Sequence, residues 1–182
     1  MSTAGWCPFD PGSEGDDLRT VAAPSVSPDI DLPKRFSGYE CVVGALIVRS
    51  GRVFVHRRTA QRSLFPRCWD IVGGHVERGE DLFVALAREV REETGWELSR
   101  VLALVYSGIW TGTDHRMRQE FDFLVAVKGD LDNPRLEVGK HDAWRWLSAD
   151  ELSLLEENRN QSDPLVRRAV EAALTWEAMH KQ

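Results

Sequence analysis

Three glutamates lie within five consecutive residues of the chain, at Glu89, Glu92 and Glu93. If this segment is helical, their carboxylates share a sector of roughly 100°. Like charges at spacings of three and four residues destabilise a helix by about 0.2–0.5 kcal/mol per pair, so a solvated face would more naturally alternate its signs. A cluster of hard oxygen ligands suits a divalent cation such as Mg²⁺ or Mn²⁺. Salt bridges with the neighbouring Arg88 and Arg91 are the alternative explanation.

A glycine-containing segment leads into this acidic helix. Gly73, Gly74 and Gly79 bracket the segment, and the helix is predicted to start near Glu80. Glycine lets a backbone approach phosphate, or offer a carbonyl to a metal, because it carries no Cβ. Gly95 is a favourable C-terminal stop. A glycine loop feeding a helix with three carboxylates indicates a metal and phosphate site more strongly than either feature alone.

The spacing pattern extends beyond the glutamates. Seven of its residues are fixed in type and the eighth, Val90, is aliphatic: Gly74, Glu80, Arg88, Glu89, Val90, Glu92, Glu93 and Gly95. Together they resemble a complete Nudix box, which here runs from Gly74 to Trp96. Chance agreement at seven fixed positions is on the order of 10⁻⁶ over the chain. A looser resemblance to the Nudix hydrolase family covers about 39–157.

The resemblance implies an α/β fold, with an α/β/α sandwich around a mixed β-sheet. It implies the catalytic residues Arg88, Glu89, Glu92 and Glu93, and a Mg²⁺ (or Mn²⁺) site formed by Gly73, Glu89, Glu92 and Glu93. A salt bridge between Glu80 and Arg88 would fix the glycine loop to the helix. The implied reaction is attack of water on a phosphorus of a nucleoside diphosphate linked to another group.

Three positions depart from the family pattern. Trp96 replaces an aliphatic residue, and a ring can still pack there. Val72 stands where many members have proline, which weakens inference about the substrate. Lys140 stands where several relatives have a glutamate before the histidine of this loop. The general base therefore stays open between Glu89, which we favour, and two alternatives, Glu120 and Glu137.

Cations and aromatic rings outside the box are candidates for binding the substrate. Guanidinium groups suit phosphate, and indole rings can stack on a base. The candidates are Arg57, Arg58 and Arg67 for phosphate, Gly74 for backbone approach to phosphate, His75 at the pocket entrance, and Trp69, Trp110 and Trp144 for stacking. Solvated surface charge is an equally good explanation of the arginines, and core packing is the commoner role of a tryptophan.

Alternating strand and helix patterns must position these residues. Strands are predicted over 41–48, 53–58, 69–72, 98–110, 119–127 and 144–147, with Gly73-Gly74 ending the third. Ser148 and Glu151 form a capping box that opens a helix. Asp163-Pro164 opens a C-terminal helix with an apolar stripe of Leu165, Val166, Val170, Leu174 and Met179.

Length and composition favour one domain in 182 residues. Residues 1–36 are rich in Gly, Pro, Ser and Asp and are predicted to form an irregular arm, in which Trp6 and Phe9 could act as anchors, whereas 37–182 form the catalytic domain with its C-terminal helix. The net charge of −6 argues against nucleic acid and anionic membranes as partners. Three cysteines, Cys7, Cys41 and Cys68, fit a reducing cytoplasm. The expected partner is a small nucleotide, and a homodimer is compatible with the sequence.

Two other functions fit parts of the sequence. Isopentenyl-diphosphate isomerases share a related box, but they need a cysteine where this chain has Gly73. A non-catalytic nucleotide-binding module would usually have lost a box carboxylate, and none is missing here. Within the hydrolase interpretation, nucleoside triphosphates, ADP-ribose, nucleotide sugars and dinucleotides all remain possible substrates.

Overall fold

A mixed eight-stranded sheet forms the centre of the fold, in a computed structural model that describes residues 23–35, 38–159 and 164–180. The strands are β1 (Ser25–Val26), β2 (Glu40–Arg49), β3 (Arg52–Arg58), β4 (Trp69–Asp70), β5 (Val72–His75), β6 (Glu97–Thr111), β7 (Met117–Lys128) and β8 (His141–Leu147). Their main order is β1-β6-β7-β2-β3-β4, while β5 pairs with β2 and β8 pairs with β3. The β1–β6 and β2–β7 pairs are parallel and the others antiparallel.

Two helices cover opposite faces of this sheet. Helix α1 (Leu82–Thr94) packs on a core that includes Val43 and Ala45 of β2. Helix α2 (Leu165–His180) packs on a second core that includes Leu46 from the same strand. Because successive side chains of a strand point to opposite faces, neighbouring residues of β2 pack beneath different helices. The predicted α/β/α sandwich around a mixed sheet is confirmed.

Helix α1 has well-defined ends. Asp81 is its N-cap, and its Oδ1 accepts a hydrogen bond of 2.8 Å from the Phe83 amide. Gly95 is the C-cap, with a φ of 72° that favours glycine, and its amide donates to the Arg91 carbonyl. These caps set where the helix begins and ends, whereas its buried side chains, including Leu86 and Val90, set its rotation about its axis. Their packing therefore decides which glutamates face β5.

Three details differ from the sequence-based expectation. Gly73 and Gly74 do not end a strand but lie inside β5, because their lack of a Cβ lets β5 lie against β2: a Cβ on Gly73 would sit 2.2 Å from the Val43 carbonyl oxygen. The helix opened by Ser148 is a 3₁₀ helix, Ala149–Glu156. In α2, Met179 is exposed rather than part of the buried stripe.

The described part of the predicted N-terminal arm contacts the domain. Ser25 and Val26 pair with Arg100 and Val101 of β6, and Ile30 and Leu32 pack against the core under α1. The candidate anchors Trp6 and Phe9, as well as Cys7, lie outside the described residues. The domain boundary near residue 36 stays a prediction. Among the described residues, no helix is both long and apolar enough to cross a bilayer.

Candidate active site

Arg88 is the centre of an ion-pair network between helix α1 and the loop that precedes it. Its Nε and one terminal nitrogen donate to the two carboxylate oxygens of Glu80, at 2.9 and 3.0 Å. The same nitrogen that reaches Glu80 Oε2 also donates to the His75 carbonyl at 3.0 Å. The expected salt bridge between Glu80 and Arg88 is therefore confirmed. It connects the loop before α1, the end of β5 and the helix itself.

Two of the three glutamates on α1 face the glycines of β5. Glu93 accepts a hydrogen bond of 2.9 Å from the Gly73 amide. The Glu89 carboxylate lies over Gly74, where a Cβ would come within 2.4 Å of Glu89 Oε1. Glu89 also accepts a 2.6 Å hydrogen bond from Arg88. Both glutamates are buried, so their carboxylates are held against backbone rather than solvated.

Glu92 differs from its two neighbours. Its side chain is 44% exposed, and its nearest described cation is Arg88 at 3.5 Å. Among the described residues, Glu89, Glu92 and Glu93 do not form a group whose ligand atoms all lie within 4.8 Å of one another. The helix therefore presents two inner carboxylates and one outer carboxylate. The metal-binding and catalytic roles of all three stay predictions.

Burial sets the protonation of the inner carboxylates. It raises the pKa of Glu89, and the adjacent Arg88 guanidinium opposes that rise. Burial raises the pKa of Glu93 well above its usual value, against the opposing effect of the Gly73 amide. A cation close to these oxygens would favour their ionised forms. Both groups are therefore more basic than a solvated glutamate.

A cavity of about 250 Å³ opens beside these glycines. Of the residues predicted to bind substrate, Arg58, Gly74, His75 and Trp110 line it. Arg57 and Arg67 do not line it; the Arg57 Nε instead donates to Asp142 at 2.7 Å. Other lining residues include Gly73, Arg62, Phe65, Asp70 and Glu120.

The other tryptophans have structural roles. Trp69 is buried in the core beneath α2, and Trp144 packs on Phe54 at a centroid distance of 6.1 Å. Trp96 is 2% exposed and contacts the same Phe54 at 4.7 Å, so the expected packing of this large ring is confirmed. Trp110 is therefore the tryptophan, among those in the described residues, that meets the cavity.

The two alternative bases lie in different surroundings. Glu137 forms a 2.8 Å salt bridge with Lys140. Glu120 lines the cavity and is hydrogen-bonded to the buried Asp122. Burial raises the pKa of Glu120 to about 7, and it raises the pKa of Asp122 well above its usual value, where the Glu120 charge adds to the effect. Such a pair keeps a proton between its members at neutral pH.

A group of buried side chains that the sequence did not indicate lies behind Glu93. His56 of β3 and His141 of β8 stack with their ring centroids 3.6 Å apart, and the Nε2 atom of each ring faces the Glu93 carboxylate. Burial lowers the pKa of His56 to about 3 and that of His141 to about 2, with positive Arg58 adding to both shifts. Both rings are therefore neutral, and their contacts with Glu93 are not ion pairs.

Comparison with known proteins agrees with this fold. Residues 39–169 match the NUDIX domain family. The MutT NUDIX hydrolase of Burkholderia pseudomallei superposes with a TM-score of 0.60 at 28% identity, over 73% of this chain and 96% of that one. The E. coli ORF135 protein gives 0.58 at 27% identity, over 78% and 93%. The chain belongs to the Nudix hydrolase family.

Curated relatives differ in what they act on. The nucleoside triphosphatase NudI of Salmonella agona is 30% identical over 64% of this chain and 87% of its own length. A Nudix hydrolase of Nostoc is 45% identical over 33% of this chain, and the m7GpppN-mRNA hydrolase NUDT17 of Xenopus laevis is 40% identical over 43%. These last two matches span only 37% and 27% of the relatives' lengths. Family membership therefore leaves the substrate open.

Proposed function

We propose that this protein hydrolyses the pyrophosphate bond of a nucleoside diphosphate linked to another group, with Mg²⁺ as cofactor. The observation that carries the proposal is the arrangement of α1 against β5. Glu93 is held by the Gly73 amide and Glu89 lies over Gly74, at the edge of a cavity that also contains arginine and tryptophan. A carboxylate cluster next to a cationic and aromatic cavity suits a metal-dependent reaction on a nucleotide.

The residues present fit a hard divalent cation. Glu89, Glu92 and Glu93 offer carboxylate oxygens, and the Gly73 carbonyl is a further neutral oxygen donor. The missing Cβ of Gly74 leaves the room that the Glu89 carboxylate uses. When bound, the ion would place positive charge against phosphate oxygens and make a nearby water more acidic. Mn²⁺ has the same ligand preference and is the expected substitute.

Glu89 is the general base in this proposal. Its carboxylate lies over Gly74 at the edge of the cavity, beside the other box carboxylates, which places a proton acceptor where a metal-activated water would lie. Arg88 holds Oε1 at 2.6 Å, which fixes the carboxylate and keeps it from rotating. Glu137 is engaged by Lys140, and Glu120 shares a proton with Asp122, so both are less suited to the role.

The cavity residues would orient the nucleotide. Trp110 and Phe65, with ring centroids 5.8 Å apart, form an aromatic wall against which a base can stack. Arg58 and Arg62 provide positive charge for phosphate oxygens. Arg58 is 13% exposed and its Nε donates to the Leu64 carbonyl, so its guanidinium is already oriented. The nucleoside would therefore lie in the cavity, with its phosphates towards Gly73 and Gly74.

The test is a panel of pyrophosphate compounds with and without Mg²⁺, with products identified by chromatography. The panel includes nucleoside triphosphates, ADP-ribose, nucleotide sugars, dinucleotides, a cap analogue and a 5′-triphosphorylated RNA. Glu89→Gln should lower kcat at least about 100-fold with little change in KM, because a proton acceptor is lost and contacts to substrate are not. Glu97→Gln, an exposed glutamate just after α1, is the matched control. Near wild-type turnover in Glu89→Gln would remove Glu89 from the base role.

A further inference from the structure

Arg118 is a buried cation at the tip of the β6–β7 hairpin. Its side chain is only 3% exposed, although most of the turn that it follows is exposed. Its two terminal nitrogens donate to both carboxylate oxygens of Asp114, at 2.9 and 2.6 Å, and its Nε donates to His75 Nε2 at 3.1 Å. Glu40 Oε2 lies 3.2 Å from one terminal nitrogen. Removing a guanidinium from water is costly, so a buried one needs several partners in fixed directions, and Arg118 has them.

The Arg118 guanidinium connects four neighbouring strands. Arg118 of β7 pairs with Trp110 of β6 on one side and with Glu40 of β2 on the other, and His75 is the last residue of β5, which pairs with β2. The central carbon of the guanidinium lies 5.1 Å from the centroid of the Trp110 ring, which is within the range of a cation–π contact. Trp110 and His75 line the cavity, whereas Arg118 does not. Arg118 therefore contacts two residues of the cavity wall from outside the cavity.

The turn of this hairpin is folded around the same guanidinium. Gly112 approaches it so closely that a Cβ there would lie 2.5 Å from both Arg118 Nη1 and Asp114 Oδ1. The Arg116 carbonyl also accepts a hydrogen bond from Nη1, at 3.3 Å. Trp110 is the second-last residue of β6, and the end of a strand next to a turn opens readily unless tertiary contacts hold it. The contacts of Arg118 therefore decide how firmly the Trp110 ring is held at the cavity.

We propose that Arg118 is a positioning residue, which holds the Trp110 ring at the cavity so that the ring can stack on the base of the substrate. The inference rests on the proposed function, in which the nucleoside lies in this cavity. Because Arg118 does not line the cavity, it acts through Trp110 rather than on the phosphates. Its second cavity contact, His75, belongs to β5, and the His75 carbonyl accepts a hydrogen bond from Arg88 at 3.0 Å. The guanidinium therefore connects the aromatic wall to the strand beside the proposed metal site, and it fixes the distance between the two.

The test compares Arg118→Met with Arg116→Met in steady-state hydrolysis of the best nucleotide of the panel. Arg118→Met should raise KM about 5- to 20-fold, which is part of what the loss of a stacked base costs, and should leave kcat within about 3-fold of wild type. Arg116 is the matched control, because it carries the same charge in the same turn and pairs with Glu40 at 2.9 Å, but its side chain is exposed. Arg116→Met should keep KM within about 2-fold of wild type, since exposed ion pairs contribute little. Equal KM values for the two variants would overturn the proposal.

A double-mutant cycle measures whether Arg118 acts through Trp110. In a Trp110→Leu background, Arg118→Met should change KM by less than about 2-fold, because the ring that it positions is gone. Inhibition by inorganic pyrophosphate, which has no base, should be the same in Arg118→Met as in wild type. An equal effect of Arg118→Met in both backgrounds, or a loss of pyrophosphate inhibition that matches the rise in KM, would show that Arg118 does not act through the ring.

Two further measurements keep the test decisive. If Arg118→Met does not fold, Asp114→Ala serves instead, because this exposed turn residue holds both terminal nitrogens of the guanidinium; it should raise KM by a smaller factor, and an unchanged KM would refute the inference. Calorimetry with ADP and GDP separates the inference from the proposed function. Nucleotide binding that Arg118→Met weakens, in a protein that hydrolyses nothing on the panel, would refute the proposed function and leave the positioning role standing. Hydrolysis with an unchanged KM would do the reverse, and a wild type that neither binds nor hydrolyses would refute both.

Discussion

Replacing either glycine of β5 with alanine adds one methyl group. We expect the change at Gly73 to lower stability and the change at Gly74 to lower activity. A Cβ on Gly73 would meet backbone: the Val43 carbonyl oxygen at 2.2 Å and the Gly44 Cα at 3.0 Å. The three atoms nearest to a Cβ on Gly74 all belong to the Glu89 carboxylate, with Oε1 at 2.4 Å and Oε2 at 2.7 Å. Backbone in a paired strand cannot move alone, whereas the end of a glutamate can turn away. Gly73→Ala therefore tests the fold, and Gly74→Ala tests the site.

The magnitudes follow from these distances. Ordinary carbon–oxygen contacts begin near 3.4 Å, so Gly73→Ala must open the β2–β5 pair by about 1 Å. Overpacking of this kind costs about 1–3 kcal/mol, and more where a ladder hydrogen bond is lost. In Gly74→Ala the carboxylate must shift by about 1 Å, and a displacement of that size at a reacting group costs about 100-fold in rate. This corresponds to about 2.7 kcal/mol in activation free energy.

Urea unfolding and steady-state hydrolysis, measured on the same preparations, separate the two effects. Gly73→Ala should lower the unfolding midpoint clearly. Gly74→Ala should keep the free energy of unfolding within about 1 kcal/mol of wild type and lose most of kcat. Gly79→Ala is a poor control because of its positive φ, so Ala60→Gly in the loop after β3 serves as the surface reference. Wild-type turnover in Gly74→Ala would refute the placement of Glu89 at the reaction centre, and an undiminished midpoint in Gly73→Ala would refute the close approach of β5 to β2.

Three further outcomes are expected. Glu80→Gln should lower the free energy of unfolding by about 1–2 kcal/mol in urea, because the carboxylate charge and one of the two acceptors for Arg88 are lost at a partly exposed site; an unchanged value would mean that the charge of Glu80 adds nothing. Trp96→Val should cost about 2–4 kcal/mol by the same measurement, because a fully buried ring leaves a cavity; a smaller loss would show that the core collapses around the gap. Because burial raises the pKa of Glu120 from 4.5 to about 7, the folded state binds this proton more tightly than the unfolded state, so the contribution of Glu120 to stability is fully present below about pH 4.5 and is lost as pH rises through about 7; the raised pKa of Asp122 acts with the same sign. Asp122→Asn should flatten that dependence in unfolding at pH 5 and pH 8, and an unaltered slope would contradict the assignment.

The sequence predicted the local parts of the site well. Spacing along one helix is enough to place Glu89 and Glu93 on a common face, and Gly95 is a recognisable C-terminal stop. The Glu80–Arg88 bridge spans eight residues, so a short loop and two helical turns determine it. These are contacts whose partners lie close together in the chain. Their geometry depends little on how the sheet is assembled.

The sequence failed where distant strands meet. His56 and His141 come together because β3 pairs with β8 in a register that sets His56 opposite Trp144 and Arg58 opposite His141. A shift of one residue in that register would turn His141 away from Glu93. The alternation in β3 already placed His56 on the same face as Phe54, which was the available signal that this histidine is buried. Nothing in the spacing along the chain indicates which residue of another strand will lie against it.

Gly73 and Gly74 belong both to the local segment before α1 and to the contacts between distant strands. Read along the chain, the two adjacent glycines were predicted to end a strand, and that prediction was wrong. Their lack of side chains is used across the sheet instead: one lets β5 lie against β2, and the other leaves room for Glu89. Gly73 also donates its amide to Glu93, so the same residue fixes the strand pair and orients the carboxylate that the histidines face. A change in the β2–β5 distance must therefore alter both the carboxylate cluster on α1 and the histidine cluster behind it.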